Sequence, residues 1–312
     1  MQEPILEVKN LRRVFQKNRE DFLAVDDVSF TVAAGECVGL IGESGSGKST
    51  IANMVSGLLA LSGGEMTFLG KDLTVKSQKK QHSLRREMQM VFQDPIQSFS
   101  PKMRVLKSVG EGLRYYTSAS QKERNQKAIE ALDLVGLREE YASRKCWELS
   151  GGECQRAAIA RAILIHPKLL ICDEVTSALD VSVQAQIIRL LHRLKSEMQM
   201  SYLFISHDLA LVSSICDRIL VLYRGQIVES GTAEEIIQHA AHPYTKVLLD
   251  SVFLVDKENA NNKKIVNVME AVNRADCGCP YASKCRAYQE GCSSSELISI
   301  TETHAVRCSR FK

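Results

Sequence analysis

Residues 42–50 read Gly42-Glu43-Ser44-Gly45-Ser46-Gly47-Lys48-Ser49-Thr50, and this stretch decides the fold. An apolar run at residues 38–41 precedes it, and a helix-compatible stretch at residues 49–59 follows it. A strand, a glycine-rich loop and a helix in this order fit the phosphate-binding pattern G-x-x-x-x-G-K-[ST]. Its glycines let the backbone turn N–H groups toward phosphate oxygens at the positive end of a helix. We therefore predict a nucleotide phosphate site here.

Four side chains near this loop have types suited to phosphate chemistry. Lys48 is expected to meet the β- and γ-phosphates, and Ser49 a magnesium ion. Asp173 follows the apolar run at residues 169–172, so its carboxylate falls at the end of a strand where parallel sheets bind ligands. It would hold magnesium directly or through water, and Glu174 would polarise the water that attacks the γ-phosphate. Phosphoryl transfer depends on positioning and electrostatics, so the whole set must be present.

Three further motifs follow in a fixed order. Gln93 follows the strand-like residues 88–92, where an amide can reach magnesium or the attacking water. Ser150 and Glu153 form a capping box that opens a helix expected at residues 154–165, and two glycines between them leave bare N–H groups at its positive end. His207 ends the run at residues 202–206 and can hydrogen-bond a γ-phosphate oxygen. Each motif alone is more often structural, and only their common order favours a catalytic reading.

In this order the motifs resemble those of the nucleotide-binding subunits of ATP-binding cassette (ABC) transporters, over roughly residues 5–250. Ser150, Gly151, Gly152 and Glu153 are similar to the family signature, although glutamine is commoner than Glu153. Gln93 is similar to its Q-loop, residues 177–180 with Asp180 to its D-loop, and His207 to its switch histidine. The resemblance implies that the signature of one subunit contacts the γ-phosphate bound by another, so ATP joins two cassettes head to tail.

The resemblance also implies a site made from several segments. Phe15 resembles the aromatic residue that stacks on adenine, and an ordinary half-buried aromatic is an equal alternative. Residues 42–50, Phe15, residues 150–153 and Asp180 would bind ATP. The implied catalytic residues are Lys48, Gln93, Glu174 and His207, and the implied magnesium ligands are Ser49, Gln93 and Asp173.

The expected architecture is an α/β P-loop ABC cassette. It would have a RecA-like parallel core sheet, a small antiparallel β region and a helical subdomain at about residues 98–165. Strand-like runs at residues 169–172, 202–206 and 219–223 alternate with helices, as a parallel sheet requires. A second capping box, Ser120 with Glu123, begins a helix that ends before Gly136. We predict a nucleotide-binding domain at residues 1–255 and a small cysteine-rich extension at residues 256–312.

Composition narrows the class of protein. The 312 residues are 45% hydrophobic, enough for a large core. The net charge is +3 without a basic stripe, so nucleic acid is not an expected partner. No run approaches the ~18 to 20 apolar residues of a membrane span, and no secretory leader is evident. We expect a peripheral protein at the cytoplasmic face of a membrane, with membrane-spanning partners on separate chains.

The C-terminal part carries two further marks. His242-Pro243-Tyr244-Thr245 resembles a stretch of ATPases in the dipeptide, oligopeptide and nickel import branch. Residues 93–101 resemble another mark of that branch, which usually has Leu-Asn in place of Phe99-Ser100. After a polar linker at residues 256–264 come five of the ten cysteines. Ten cysteines without a leader argue against a disulfide framework.

Four thiolates in this tail suit either a [4Fe-4S] cluster or tetrahedral zinc. Spacing alone slightly favours zinc, whereas the resemblance favours the cluster, with Cys279, Cys285, Cys292 and Cys308 as ligands. Cys277 is a spare that can substitute. A tail of free thiols is the less favoured alternative, because so short a segment has little apolar mass with which to fold.

These patterns predict the ATP-hydrolysing subunit of a multi-chain importer for peptides, nickel or metal chelates. The implied partners are a second ATPase chain in a heterodimer, two transmembrane permeases and an extracytoplasmic solute-binding protein. The alternatives are a soluble ABC ATPase acting in iron–sulfur assembly, DNA repair or translation, and a non-hydrolysing regulatory cassette. Lys48 and Glu174 are both present, which favours an active enzyme.

Overall fold

The computed structural model describes residues 3–17, 20–74, 78–253, 279–290, 292 and 296–311. The predicted linker at residues 256–264 and Cys277 lie outside the described residues.

Twelve strands form two sheets in the described part of the chain. In chain order they are β1 (Pro4–Lys17), β2 (Glu20–Ala33), β3 (Cys37–Ile41), β4 (Gly63–Phe68), β5 (Lys71–Asp72), β6 (Met88–Val91), β7 (Leu169–Asp173), β8 (Ser201–Ser206), β9 (Arg218–Tyr223), β10 (Gln226–Thr232), β11 (Ile298–Ser299) and β12 (Ala305–Val306). The small sheet has the order β2-β1-β4-β5, and the large one β11-β12-β10-β9-β3-β8-β7-β6.

Along the sequence, most α-helices of the described residues connect strands of the large sheet. They are α1 (Lys48–Val55), α2 (Gln78–Glu87), α3 (Val105–Val109), α4 (Glu111–Tyr116), α5 (Gln121–Leu134), α6 (Gly151–Ile163), α7 (Val181–Met198), α8 (Leu209–Ile215), α9 (Ala233–Gln238) and α10 (Pro243–Phe253).

Five consecutive strands of the large sheet, β6, β7, β8, β3 and β9, are parallel, with β6 at the edge. Every residue of β3, β7 and β8 is buried, as expected for strands covered on both faces. Successive side chains alternate between two cores: Leu203 faces the core shared with the small sheet and α1, and Phe204 faces the core shared with α3, α5 and α6. The predicted parallel α/β core is therefore confirmed.

In the helical segment inserted between β6 and β7, α5 begins where the sequence predicts. The Ser120–Glu123 capping box precedes α5, with both reciprocal hydrogen bonds present. Gly136, with φ of 77°, lies just beyond the end of α5, in the left-handed conformation that commonly terminates helices. Val105, Leu132 and Ile159 of α3, α5 and α6 share one core with the large sheet.

Two parts of the fold were not predicted. The first is α2, a helix whose sequence has almost no apolar stripe. The cysteine-bearing tail contributes β12, which pairs antiparallel with β10 through Glu229 with Val306 and Ser230 with Ala305. These residues of the tail thus extend the large sheet.

Among the described residues, no helix is both long and apolar enough to cross a bilayer.

Candidate nucleotide site

The loop between β3 and α1 has a backbone that only glycine adopts readily. The φ angles of Gly42, Gly45 and Gly47 are 156°, 79° and 107°. A Cβ at Gly47 would lie 2.7 Å from the Ala24 carbonyl oxygen, and one at Gly42 2.2 Å from that of Leu222. At Gly45 a Cβ would meet no atom within 4 Å. The loop is therefore tightly packed at both ends and open in its middle, where a ligand can approach.

The Lys48 side chain is folded against this loop. Its Nζ donates hydrogen bonds to the carbonyl oxygens of Gly42 and Glu43, at 2.7 and 2.9 Å. The side chain is 4% exposed, and burial lowers the pKa of its ammonium group while nearby carboxylates oppose that shift. A charged phosphate oxygen is a stronger acceptor for an ammonium than a neutral carbonyl. The residue is thus placed to hold a phosphate at the open side of the loop.

A second polar group in the loop is buried. The Ser46 hydroxyl has no hydrogen-bond partner within the described part of the chain. Buried hydroxyls normally find partners, and those that do not often mark a ligand or water position. Together with the open face at Gly45, this unpaired group fits a loop built to receive phosphate oxygens.

The predicted magnesium ligands Ser49 and Asp173 are in direct contact. The Ser49 Oγ donates to Asp173 Oδ1 at 3.1 Å, which links the start of α1 to the end of β7. Asp173 is buried, and burial raises the pKa of its carboxyl group, although the Ser49 hydrogen bond opposes the shift. A bound cation would stabilise the ionised form of such a carboxylate. Hard oxygen donors of this kind are the ligands that Mg²⁺ prefers, so the pair fits the ion.

Glu174 is the centre of a cluster drawn from three neighbouring strands. Gln93 lies beyond β6, Glu174 beyond β7 and His207 beyond β8. Gln93 Nε2 donates to Glu174 Oε2 at 2.8 Å, and His207 Nδ1 lies 3.6 Å from Glu174 Oε1. The Glu174 backbone is left-handed, with φ of 48°, a costly conformation for a residue with a side chain. Its N–H donates to the Ile205 carbonyl at 3.0 Å, which helps to hold it there.

Comparison with known proteins agrees with this geometry. Residues 25–177 match the family model described as ABC transporter. A Haemophilus influenzae protein named oligopeptide transport ATP-binding protein OppF is 40% identical over 308 residues, covering 96% of this chain and 92% of the relative. The chain belongs to the ABC transporter ATPases. It is an ATP-hydrolysing enzyme, for which ATP and Mg²⁺ are the expected ligands.

Further comparisons refine this assignment. Residues 228–292 match the model described as oligopeptide/dipeptide transporter, C-terminal region. The Bacillus subtilis oligopeptide transport ATP-binding protein OppF is 44% identical over 265 residues, or 84% of this chain and 87% of the relative. The ATP-binding cassette MJ0796, solved as a dimer in a post-hydrolysis state with ADP and Pi, aligns with a TM-score of 0.68 and 29% identity, over 73% of this chain and 98% of that one. The predicted P-loop cassette fold is confirmed.

The predicted signature, residues 150–153, lies at the start of α6. Ser150 Oγ accepts from the Glu153 N–H, and Glu153 Oε2 accepts from the Ser150 N–H at 2.8 Å. The helix begins at Gly151, three residues earlier than the sequence pattern suggested. A Cβ at Gly152 would lie 2.6 Å from Val183 of α7. Among the described residues, no hydrogen bond or ion pair joins residues 150–153 to the phosphate loop.

Two other predicted ATP contacts have local partners in this chain. Asp180 caps α7: its Oδ1 accepts from the Val183 N–H at 3.0 Å and from the Ser182 hydroxyl at 2.7 Å. Phe15 is half-buried on β1, with the Arg13 guanidinium 4.6 Å from its ring centroid. The structure therefore brings together Lys48, Ser49, Asp173, Gln93, Glu174 and His207, and it leaves the signature, Asp180 and Phe15 outside that cluster.

One contact to the loop was missed from the sequence. The Glu43 N–H donates to the Tyr244 hydroxyl oxygen at 2.9 Å. Tyr244 belongs to the stretch at residues 242–245, which the sequence marks as typical of an import branch without indicating any contact. The residues are 201 positions apart, so no local pattern could connect them.

Four of the five tail cysteines line one cavity beside α10: Cys279, Cys285, Cys292 and Cys308. Burial raises the pKa of the Cys285 thiol, with Cys308 and Cys292 adding to the shift, whereas a Ser309 hydrogen bond lowers that of Cys292. In the ranges that the structure describes, no group of three or more His, Cys, Asp or Glu side chains forms a site for a metal ion. The cysteines are thus near neighbours without single-ion geometry.

Proposed function

We propose that this ABC ATPase energises the import of peptides through separate membrane-spanning permeases. The cluster of Lys48, Ser49, Asp173 and Glu174 at one edge of the sheet carries the ATPase part of the proposal. The oligopeptide/dipeptide transporter match at residues 228–292 and the names of the Haemophilus and Bacillus relatives support the peptide part. Nickel and metal chelates, which the sequence resemblance left open, are less favoured because those relatives are named for oligopeptides.

Within the site each group has a separate task. Lys48 turns from the loop carbonyls to the β- and γ-phosphates, and the loop N–H groups hold the remaining oxygens. Ser49 and Asp173 hold magnesium, which neutralises charge on the phosphate oxygens when bound. Glu174 orients and polarises the attacking water and accepts its proton. Gln93 and His207, both beside the Glu174 carboxylate, orient that carboxylate and contact the γ-phosphate region.

The site is completed by a second cassette. Ser150 and Gly151 are exposed, and within the described part of the chain residues 150–153 make no hydrogen bond to the phosphate loop. Its N–H groups at the start of α6 suit a phosphate presented by another subunit. We infer a head-to-tail dimer in which Asp180 lies at the interface, and a heterodimer with a different ATPase chain is the first expectation. Phe15 would stack on adenine either beside the Arg13 guanidinium, which contacts the Phe15 ring, or after that guanidinium has moved away from the ring.

The remaining partners follow from the proposed import reaction. Two permeases span the membrane, an extracytoplasmic binding protein delivers peptide, and this chain lies at the cytoplasmic face. The helical subdomain at about residues 98–165 would contact the permeases. Residues 1–255 form the nucleotide-binding domain in this proposal, and residues 256–312 form the extension.

We propose that the cysteine cavity holds a [4Fe-4S] cluster, with zinc as the alternative, because four thiolates suit either group. Four cysteines line this one cavity. The preference for the cluster comes from the sequence resemblance to the import branch. Cys279, Cys285, Cys292 and Cys308 would bind it, and in this proposal its role is to hold the tail together.

Purification from native membranes tests the proposal. A tagged chain, gently solubilised, should bring two permeases and a second ATPase, and the complex should hydrolyse ATP faster when peptide and binding protein are added. The same preparation from cells that lack the permease genes should release the chain into the soluble fraction. Recovery of cytosolic partners alone would contradict import and would favour a soluble cassette ATPase.

A further inference from the structure

A cluster of tyrosines connects the phosphate loop to the cysteine-lined cavity. Tyr244 of α10 is 1% exposed, and its hydroxyl accepts the Glu43 N–H. Its ring centroid lies 4.6 Å from that of Tyr223 on β9 and 5.4 Å from that of Tyr281 in the tail. Tyr281 stands between Cys279 and Cys285 in the sequence and lines the same cavity as they do.

The peptide group between Gly42 and Glu43 is held from both sides. Its N–H, that of Glu43, donates to the Tyr244 hydroxyl at 2.9 Å, while its carbonyl oxygen, that of Gly42, accepts from Lys48 Nζ at 2.7 Å. Rotation of this peptide would therefore move an acceptor of the lysine that is to bind phosphate. Because the Tyr244 hydroxyl fixes the orientation of the N–H, it also fixes the carbonyl that positions Lys48.

Tyr244 is in turn held by contacts that reach the tail. Its N–H donates to His242 Nδ1 at 3.1 Å. The fully buried Glu229 carboxylate accepts from the Ala241 and His242 N–H groups at 2.6 and 2.9 Å. Glu229 Oε1 also lies 2.8 Å from His304 Nε2, in the tail segment just before β12. The Tyr281 ring of the tail thus packs against Tyr244 itself. His304 of the tail contacts Glu229, which in turn holds residues 241–242.

We propose that Tyr244 is a positioning residue for the phosphate loop, and that packing of the cysteine-bearing tail against it sets the affinity of this subunit for ATP. The proposal extends the ATP site and depends neither on the transported substrate nor on which metal the cysteines hold. The tail acts on the nucleotide site through two contacts: the Tyr281 ring packs against the Tyr244 ring, and the Tyr244 hydroxyl accepts the Glu43 N–H.

The first test removes only the hydroxyl. In the full-length chain, Tyr244→Phe should weaken binding of a fluorescent ATP analogue by about 3- to 10-fold, the value of one neutral hydrogen bond. In the assembled complex the same variant should raise KM for ATP by a similar factor and change kcat less than about twofold. Tyr202→Phe is the matched control, because Tyr202 is a buried tyrosine whose hydroxyl donates to the Leu191 carbonyl. Tyr202 pairs with Cys37 at the start of β3, whereas the phosphate loop follows the end of that strand. Equal affinities of the two variants would overturn the role of Tyr244.

The second test concerns the tail. Tyr281→Ala should weaken nucleotide binding in the range seen for Tyr244→Phe, and Tyr281→Phe should restore it, because the ring rather than its hydroxyl makes the contact. The double variant Tyr244→Phe/Tyr281→Ala should be little weaker than either single one. If Tyr281→Ala releases the tail to protease while ATP affinity stays at the wild-type value, the tail does not act on the loop.

Discussion

The Glu174 carboxylate lies between an amide and an imidazole supplied by two neighbouring strands. Gln93 donates to one of its oxygens, and His207 faces the other at 3.6 Å. Its left-handed backbone is held by a hydrogen bond to Ile205, so the carboxylate has a defined direction next to Asp173. This arrangement suits a group that positions water rather than one that binds metal.

Replacement of this carboxylate by an amide should separate binding from hydrolysis. Glu174→Gln keeps the shape of the side chain and its contact with Gln93, but it removes the base. ATPase turnover should fall by ~10²- to 10⁴-fold, or about 3 to 5 kcal/mol of barrier, with ATP affinity retained. Glu130→Gln, an exposed carboxylate on α5, should leave turnover unchanged. Wild-type turnover by Glu174→Gln would remove Glu174 from the mechanism.

Which single residues the sequence could identify depended on how local their signals were. Lys48 and Ser49 belong to a nine-residue pattern, and Asp173 and Glu174 follow an apolar strand directly. Tyr244 could not be found, because its partner is a backbone N–H distant in the sequence. Its contact exists only once α10 packs beside the loop.

At the scale of elements, the predicted signature residues Ser150 and Glu153 also stabilise the start of α6, because they form its capping box. Each partner of the capping box satisfies a backbone N–H that the helix leaves unpaired. Glu153 stands where glutamine is commoner in the family, and its carboxylate is committed to the Ser150 N–H. That hydrogen bond also lowers the pKa of Glu153, so the side chain is ionised at neutral pH.

Variants at this cap should differ in stability. Ser150→Ala removes the acceptor for the Glu153 N–H and should lower the free energy of unfolding by about 1 kcal/mol. Glu153→Gln keeps an acceptor oxygen at the same position and should change it by less than about 0.5 kcal/mol. Urea unfolding of both full-length variants measures the difference. An equal loss in the two variants would show that the carboxylate charge, not the cap, stabilises α6.

The start of α10 should be sensitive to acid. Burial lowers the pKa of His242 to about 4 from its ordinary 6.5, in keeping with its Nδ1 accepting the Tyr244 N–H. Between pH 6.5 and about 4, this histidine is protonated in the unfolded chain and neutral in the folded chain. The free energy of unfolding therefore falls as the pH drops from 6.5 toward 4. This histidine should account for about 2 kcal/mol of the loss between pH 7 and pH 5.

His242→Asn is the matched variant for this effect, because an amide oxygen can replace Nδ1 as acceptor without titrating. Its free energy of unfolding should fall less than that of the wild type between pH 7 and pH 5. Parallel pH curves for the two proteins would assign the acid sensitivity to other groups.

Elements were predictable in proportion to their apolar patterns. The core strands β3, β7 and β8 read as continuous apolar runs because both faces are covered. By contrast α2 is almost wholly polar, with Leu84 as its one apolar residue, so no apolar pattern marks it as a helix. The tail strands β11 and β12 have two residues each, too few for any periodicity to show.

At the scale of the whole molecule, the tail is joined to the cassette by β12, by His304 and by the Tyr281 ring, and Tyr281 also lines the cysteine cavity. A metal group held there would stabilise this small segment, whose own apolar core is slight. The order in which the tail and the cassette unfold should show whether a metal group stabilises the tail.

Loss of the proposed metal group should release the tail first. Chelation, or Cys285→Ala, should let protease remove the residues after about 256 while the cassette stays intact, because metal binding supplies folding free energy to small domains. Cys277→Ala leaves the four proposed ligands and should not alter the digest. The absorption spectrum of the intact chain separates the two metals, since an iron–sulfur cluster is coloured and zinc is not. A digest unchanged by both treatments would argue against a structural metal.

Uptake of a labelled oligopeptide by cells that carry Glu174→Gln in place of the native residue tests the central claim most directly. The account predicts that uptake falls to the level of cells lacking the chain, while the variant subunit remains in the membrane complex and Glu130→Gln cells import normally. Uptake at the wild-type rate, with the variant subunit present in its usual amount, would contradict the claim that ATP hydrolysis by this subunit drives peptide import.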